Sequence, residues 1–278
     1  MKIARFERGG QIGLGVIEGE GIIALGTEFS DIQALIAGGA SALERVRAAL
    51  GRAPDHALTD VRLLAPLRPG KYLAIGMNYA DHVAEMKHGD APAHQYWFNK
   101  QTTCITGPHD GIDPGVSERV DYEVELGVVI GKAAKGVKAA EALDYVFGYL
   151  VANDVSARDW QRHSPTFTMG KSFDTHGPIG PWIVTADEIP DPQALALRSF
   201  VNGEKRQDGN TNQMIHTVAA QIEYLSTAFT LEPGDLLATG TPSGVGMAMD
   251  PPSYLQEGDV VRCEVDGIGA IENRVVRL

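Results

Sequence analysis

From about Leu67 onward the chain is a succession of short apolar segments separated by turns, and this pattern limits the available folds more than any other feature. The segments with the composition and length of strands are KYLAIG, DYEVELGVVIG, YVFGYLVAND, GPWIVT, LRSFVNGE, DLLATG and DVVRCEVDGIGAIENRVV. A clear helical spacing is carried by Ile215, Val218, Ala219, Ile222, Leu225 and Phe229. Because strands outnumber helices here, we predict a mainly β, α+β fold rather than a doubly wound one.

The first 66 residues have a different pattern, which predicts a small N-terminal α+β domain. Three strand candidates, KIARFE, IGLGVIEG and GIIALG, precede a helix that is predicted from about Ser30, a good N-cap. Gly38 and Gly39 break this helix, and a second helical piece follows them. The stretch RAPDHALTDVRLLAPLRPGK is rich in proline and polar residues. It predicts the passage into a second domain, residues 67–278.

The net charge and the cysteine count limit the classes of function. A formal charge of −12 argues against a protein that wraps nucleic acid, whereas an anionic small molecule needs only a local positive centre. Two cysteines, Cys104 and Cys263, are too few for a disulfide framework and indicate reduced thiols in a cytoplasmic protein. The first residues lack the apolar core of a signal peptide, and no apolar run approaches the length of a membrane span. We therefore expect no membrane partner.

Two carboxylates stand on the same face of the strand candidate VDYEVELGVVIG. Glu123 and Glu125 are two residues apart, so they repel each other unless that face is solvated, which is common in antiparallel sheets. Asp154 ends the apolar strand YVFGYLVAND, where simple solvation is a poor explanation. If the three acids converge, a divalent cation would remove the repulsion. Oxygen ligands favour Mg²⁺ first, and Mn²⁺ or Ca²⁺ next.

A histidine and a glutamate stand three residues apart in NYADHVAEMK, a segment compatible with a helix capped by Asn78. On one helical turn His82 and Glu85 are neighbours, so the carboxylate would orient the imidazole and raise its basicity for proton removal from water. A surface pair of small energetic value is the alternative. The following segment, MKHGDAPAHQYW, is predicted to form a mobile lid over a substrate.

Candidate anion-binding groups follow Asp154 closely. Lys171 has small neighbours that leave its ammonium little shielded, and Arg158 and Gln161 share a predicted helical turn. The glycine-rich turn TGTPSGVG follows a strand and could present backbone N–H groups and the Thr241 hydroxyl to a carboxylate. It is not a phosphate-binding P-loop, because no Gly-Lys-Ser/Thr ends it.

Taken together, several segments resemble the fumarylacetoacetate hydrolase family in order and spacing. They are GMNYADHVAE, DYEVELGVVIG, VANDVSARDWQ, GKSFDT with the following GPIGPWIVT, VNGEKRQDGNTNQMI and LEPGDLLATGTPSGVG. The resemblance covers residues 67–278 and implies a mixed β-sandwich roll for the main domain, a small N-terminal domain and a homodimer. The chain departs from the family pattern at Gln101 and His176, which leaves the exact substrate open.

The resemblance also implies roles for ten residues. These are metal ligands for Mg²⁺ or Mn²⁺ at Glu123, Glu125 and Asp154; a water-activating pair on a lid helix at His82 and Glu85; an electrophilic or proton-handling lysine at Lys171; and substrate contacts at Tyr79, Arg158, Gln161 and Thr241.

The activity implied by the resemblance is hydrolysis of the C–C bond in an anionic 2,4-dioxo acid, to pyruvate and a second acid. Acylpyruvates, fumarylpyruvate and diketo-deoxy sugar acids are the expected substrates. Alternatives on the same scaffold are oxaloacetate decarboxylation or tautomerisation, and hydration or isomerisation of an unsaturated 2-oxo diacid. A non-catalytic protein with a structural Ca²⁺ site is an alternative of a different class.

Overall fold

The computed structural model describes residues 1–86 and 92–278 and is built around one large mixed sheet. Its strands, β1 to β18 in chain order, are Lys2–Arg8, Gln11–Glu18, Gly21–Ala24, His56–Ala57, Arg62–Leu64, Tyr72–Gly76, Tyr96–Lys100, Ile105–Thr106, Val120–Asp121, Val124–Ile130, Val146–Asn153, Ser156–Ala157, Gly177–Thr185, Ala196–Val201, Glu204–Asn210, Leu236–Ala238, Val260–Val265 and Gly269–Arg274. Its helices, α1 to α6, are Ile32–Ala37, Gly39–Ala49, Ala80–Glu85, Arg158–Gln161, Thr168–Lys171 and Val218–Ala228. Strands dominate, so the predicted mainly β, α+β fold is confirmed.

Two sheets enclose the main core. The large sheet runs in the order β4-β3-β2-β1-β13-β11-β10-β16-β6-β7, with β5 beside β1 and β8 beside β13. A smaller sheet, β15-β14-β17-β18, packs against β10, β11 and β13. Side chains from both sheets, such as Leu126 and Val151 on one and Leu197 and Ile271 on the other, are fully buried in one cluster. This burial of apolar area is the main force that holds the two sheets together.

The strand with the two glutamates lies at the centre of the large sheet. β10 pairs with β11 on one side and with β16 on the other, and all seven of its residues are buried. The alternative of one solvated face is therefore wrong. The strand predicted as continuous is also interrupted, because Tyr122 and Glu123 separate β10 from β9, which pairs with β12 instead.

The N-terminal segment extends the large sheet. β1 pairs with β13, where Ile3 lies opposite Ile183, so the sheet crosses the predicted boundary between residues 66 and 67. Leu35 and Val46 of the two N-terminal helices share a core cluster with Leu150 of β11. The division into domains 1–66 and 67–278 stays a prediction.

Part of the predicted lid segment is a strand. Residues 87–91 of MKHGDAPAHQYW lie outside the described residues, but Tyr96 begins β7, which pairs with β6 along its whole length. β15 was not predicted from the sequence, because its polar residues hide its pairing with β14. Both β7 and β15 are extended because they pair with a neighbouring strand, and local composition does not reveal that pairing.

Helix boundaries follow their caps. α1 is capped by Asp31, whose side chain accepts from the N–H of Ala34 at 2.8 Å, rather than by Ser30. α6 lies where the helical spacing placed it, although Ile215 and Phe229 fall outside it. In the described part of the chain α2 and α6 are the longest helices, with eleven residues each, and none is long and apolar enough to span a bilayer.

Candidate metal centre and active site

Three carboxylates meet where β10 begins and β11 ends. One oxygen from each of Glu123, Glu125 and Asp154 lies within 4.8 Å of the other two, and none of the three residues is more than 5% exposed. Strand register explains the meeting: Val124 pairs with Asn153, and the N–H of Asp154 donates to the carbonyl of Glu123 at 2.9 Å. A buried group of oxygen donors suits a hard divalent cation.

Two buried lysines contact the carboxylates. Lys171 Nζ donates to Glu123 Oε2 and to Asp154 Oδ2, both at 2.6 Å. Lys171 is only 2% exposed, so the expectation of a little-shielded ammonium is wrong. Lys100, the last residue of β7, donates to the other oxygen of Asp154 and to the carbonyl of His176. No role was predicted for Lys100 from the sequence, although its place at the end of the aromatic run YWFNK was a signal.

Arg158 is held by two carboxylates. Its Nε donates to Asp121 Oδ2 at 2.9 Å, and its Nη1 donates to Gln161 Oε1 at 3.2 Å. Its Nη2 lies 2.7 Å from Glu123 Oε1 in an ion pair without hydrogen-bond alignment. Asp121, for which no role was predicted from the sequence, is fully buried. The guanidinium therefore contributes charge at the wall of the site, with little freedom to move.

The two neighbouring glutamates have opposite pKa shifts. Burial raises the pKa of Glu125 well above its usual range, and repulsion from Asp154 and then Glu123 raises it further. Burial also acts on Glu123, but Lys171 and Arg158 hold the pKa of its carboxyl well below the usual range. Lys171 and Arg158 thus offset the charge of Glu123, whereas Glu125 keeps a repulsion from its neighbouring carboxylates that a dication would relieve.

A cavity of about 750 Å³ opens onto these groups. Glu123, Glu125 and Lys171 form part of its polar lining, together with His82 and Arg158. The apolar lining comes from Ile75, Met77, Met86, Pro92, Tyr96, Phe98, Pro165, Phe167 and Met247. The site therefore combines a charged region with an apolar chamber large enough for a small organic acid.

The predicted histidine and glutamate are in contact. His82 Nδ1 lies 2.7 Å from Glu85 Oε1 on α3, and the histidine lines the cavity. The other oxygen of Glu85 accepts the N–H of Gly244 at 2.9 Å. Because Nδ1 is bonded to the carboxylate, Nε2 is the ring nitrogen left to exchange a proton with water or substrate.

The start of α3 differs from the expectation. The helix begins after Tyr79 without a side-chain cap, because the amide of predicted cap Asn78 donates to the carbonyls of His216 and Thr239. Tyr79 is fully buried and does not belong to the cavity wall formed by the described residues, so its predicted contact with substrate lacks a direct path.

The glycine-rich turn and the residue that follows it, here called the site loop (residues 239–247), bind carboxylates of the protein itself. Thr241 lines the cavity, but its hydroxyl donates to the Val124 carbonyl at 2.9 Å and accepts from Gln207 at 2.7 Å, so its proton is not directed at a substrate. The backbone N–H groups donate to side chains as follows: Gly240 to Glu125 at 2.8 Å, Ser243 to Asp81 at 3.2 Å, Gly244 to Glu85 at 2.9 Å, and Gly246 and Met247 to Asp121 at 2.8 and 3.0 Å.

His176, one of the departures from the family pattern, predicts sensitivity to acid. Burial, and then the charge of Lys100, lowers its pKa to about 4. In the unfolded chain the histidine has a pKa near 6.5, so below that pH it gains a proton that the buried side chain in the folded protein does not take up. The free energy of unfolding therefore falls by up to ~3 kcal/mol as the pH drops from about 7 towards 4. Urea unfolding across that range should give a flatter pH dependence for His176→Phe than for wild type. Parallel curves, or the same flattening in an exposed His109→Phe control, would contradict this.

Comparison with known proteins agrees with this geometry. Residues 71–276 match the family model described as fumarylacetoacetate (FAA) hydrolase C-terminal, and residues 1–66 match the model described as Rv2993c-like, N-terminal. A fumarylacetoacetate hydrolase from psychrophilic Exiguobacterium antarcticum superposes with a TM-score of 0.86 at 37% sequence identity, and the match covers 100% of both chains.

Two other solved structures carry more specific names. The maleylpyruvate hydrolase from Sphingobium sp. SYK-6, in complex with manganese (II) ion and pyruvate, has a TM-score of 0.84 at 31% identity, covering 100% of this chain and 99% of that one. The 2-hydroxyhepta-2,4-diene-1,7-dioate isomerase from Mycobacterium marinum has a TM-score of 0.78 at 37% identity, covering 100% and 98%. Because the FAA hydrolase model matches most of the chain, the protein belongs to the fumarylacetoacetate hydrolase family.

Proposed function

We propose that the protein is an enzyme that hydrolyses a C–C bond of a 2,4-dioxo acid, giving pyruvate and a second acid, with Mg²⁺ or Mn²⁺ as cofactor. The observation that carries this proposal is a single cavity lined by Glu123 and Glu125 of the carboxylate group and by His82, which is bonded to Glu85. Metal-assisted hydrolysis needs both a cation site and a group that takes a proton from water. The manganese and pyruvate in the related maleylpyruvate hydrolase support this choice.

Glu123, Glu125 and Asp154 would hold the cation. With all four carboxylates ionised, this region carries one net negative charge: Asp121, Glu123, Glu125 and Asp154 against Lys100, Lys171 and Arg158. A dication would turn this into one positive charge, and a monoanionic 2-oxo acid would return it to neutrality. When bound, the ion supplies Lewis-acid polarisation of the oxygens that coordinate it.

His82 would act as the general base. Glu85 accepts the hydrogen of Nδ1 and so fixes the tautomer in which Nε2 is unprotonated and able to take a proton from water. The resulting hydroxide would attack the carbonyl at C4 of the dioxo acid. The bond between C3 and C4 then breaks, its electron pair passes into the enolate of pyruvate, and protonation at C3 completes the products.

Lys171 would stabilise the negative charge that develops on the departing enolate. Its ammonium lies 2.6 Å from both Glu123 and Asp154, and Lys171 also lines the cavity, so it sits beside the proposed cation site. A preorganised cation in a buried site costs no reorganisation during the reaction. Because its hydrogens are engaged by two carboxylates, electrostatic stabilisation is the role that we favour over proton delivery.

Arg162 would recognise the distal end of the substrate. It follows α4, lines the cavity, and forms no ion pair with a carboxylate of residues 1–86 or 92–278. We expect Arg162→Leu to raise the KM for fumarylpyruvate, which has a distal carboxylate, by ~10-fold, because a charged contact is lost. The KM for acetylpyruvate, which lacks that carboxylate, should change by less than about 2-fold. An equal loss for both substrates, or the same pattern in an Arg8→Leu control, would contradict this role.

The proposed activity is tested by product analysis. Acylpyruvates, fumarylpyruvate, diketo-deoxy sugar acids and oxaloacetate are incubated with the protein and Mg²⁺ or Mn²⁺, and pyruvate is measured together with the second product. Pyruvate with a second acid supports hydrolysis. Release of CO₂ from oxaloacetate, without turnover of any dioxo acid, would replace hydrolysis by decarboxylation.

Isomerisation of an unsaturated 2-oxo diacid is the second candidate. The similarity to the Mycobacterium marinum isomerase, at 37% identity over the whole chain, supports it. An isomerase moves a proton within the substrate and consumes no water, so a product of unchanged mass that incorporates no ¹⁸O from labelled water would identify it.

We also propose that the protein is a homodimer, as the family resemblance implies, and that it is cytoplasmic, as its two cysteines indicate. Light scattering after size-exclusion chromatography should give about twice the mass of 29.8 kDa for one chain. A monomer at micromolar concentration would exclude the dimer.

A further inference from the structure

The site loop connects α3 to the carboxylates of the proposed metal centre. The N–H of Gly240 donates to Glu125 Oε2 at 2.8 Å. Three residues later, Ser243 donates to Asp81 Oδ2 through its hydroxyl at 2.7 Å and its N–H at 3.2 Å. The other oxygen of Asp81 accepts the N–H of His82 at 2.8 Å. One short loop therefore binds both a proposed metal ligand and the residue next to the proposed base.

The loop itself is fixed from the opposite side. Gln207 of β15 donates to the Pro242 carbonyl at 2.8 Å. Gly244 has a φ of +105°, and a Cβ at that position would lie 2.1 Å from the carbonyl oxygen of Arg206. The backbone thus approaches β15 closely, in a conformation that favours glycine. Because this anchorage does not involve α3, the loop can serve as a fixed reference for the helix.

α3 depends on such contacts for its position. It has six residues and no side-chain cap, and a helix of this length is not stable alone in water. Asp81 is half-buried and, within the described part of the chain, forms no ion pair with a lysine or arginine. Its bonds to Ser243 involve a charged acceptor, and such hydrogen bonds are stronger than neutral ones.

We infer that Asp81 is a positioning residue, and that its bonds to Ser243 set the position of His82 relative to the three carboxylates. This inference rests on the proposed function, because it assigns a purpose to Asp81 only if His82 is the base. Asp81 acts through His82 and touches neither substrate nor metal. Misplacing a catalytic group by about 1 Å can cost ~100-fold in rate, so a partial loss of this contact should be measurable.

Ser243→Ala and Asp81→Asn test the inference. Each is expected to lower kcat by ~10-fold or more, with KM and the dissociation constant for Mn²⁺ within about 2-fold of wild type. Ser243→Thr keeps the hydroxyl and should restore most of kcat. The matched control is Ser117→Ala, because Ser117 donates to Asp159 at 2.6 Å while the N–H of Glu118 binds the other oxygen at 3.0 Å. That variant should keep the wild-type kcat.

The background of His82→Ala separates this inference from the proposed function. If Ser243 acts through His82, adding Ser243→Ala to His82→Ala should cause no further loss of rate. A ~10-fold further loss would show that Ser243 acts elsewhere and would overturn the inference. If His82→Ala alone leaves turnover unchanged, the proposed base is wrong. If only His82→Ala lowers turnover and the Asp81 and Ser243 variants do not, the inference fails while the proposed function stands.

Hydrogen exchange gives a readout that needs no substrate. Amide exchange in a peptide covering residues 80–86 should become at least about 10-fold faster in Asp81→Asn and Ser243→Ala, because α3 loses the bonds at its first turn and keeps only the bond from Gly244 to Glu85 as its attachment to the loop. Exchange in this peptide should be unchanged in Ser117→Ala. Unchanged protection in the Asp81 and Ser243 variants would overturn the inference.

Discussion

A Glu125→Gln variant is expected to lose affinity for Mn²⁺ by more than ~100-fold and to lose turnover with it, while the metal-free protein remains folded. Loss of an outer partner of a metal ligand already costs roughly 10–100-fold, so loss of a charged ligand should cost more. Folding should not suffer, because burial and repulsion from Asp154 and Glu123 disfavour the ionised Glu125. The glutamine oxygen can still accept the N–H of Gly240.

Thermal unfolding with and without Mn²⁺ is the measurement, since a ligand that binds only the folded state raises Tm. Wild type should gain stability on adding Mn²⁺, and Glu125→Gln should not. Glu123→Gln is the matched variant two residues away. It breaks ion pairs with Lys171 and Arg158, so it should destabilise even the metal-free protein, by ~3 kcal/mol or more. A Glu125→Gln protein that keeps the wild-type response to Mn²⁺ would remove Glu125 from the metal site.

A His82→Ala variant is expected to lower kcat by ~10²–10⁴-fold, the usual contribution of a general base, with Mn²⁺ binding unchanged. The imidazole is bonded to Glu85 and faces the cavity, and it is not bonded to any of the three carboxylates. Turnover of the best dioxo acid from the substrate panel and a calorimetric titration with Mn²⁺ measure the two effects separately.

His109→Ala is the control for the loss of a histidine, because His109 is exposed and absent from the described cavity wall. It should retain wild-type turnover. If His82→Ala retained it as well, another group would have to take the proton from water. If His82→Ala lost both turnover and Mn²⁺ binding, the histidine would belong to the metal centre instead.

Short-range spacing made part of the site predictable. His82 meets Glu85 because helical residues three apart are neighbours. Glu123 and Glu125 converge as the two-residue spacing of a strand suggested, although Glu123 precedes β10. Both rules use local spacing, so they apply before the fold is known. The resemblance to a family then indicated that Asp154 joins the two glutamates.

Long-range contacts were not predictable in the same way. Lys100 binds Asp154 from 54 residues away, and Ser243 binds Asp81 from 162 residues away. Neither pair has a local signal, because each depends on which strands pair and in which register. The site loop shows the difference: its glycines suggested an anion site, but only the fold shows that the anions are the protein's own carboxylates.

The sequence by itself determined the strand-rich class of the fold and the spacing of the acidic and basic side chains. The tertiary structure alone decided which charges are buried together, that β10 is covered on both faces, and that one loop holds α3 beside the carboxylates. The physical reason is that periodicity acts over a few residues, whereas burial and charge pairing depend on segments brought together from the whole chain.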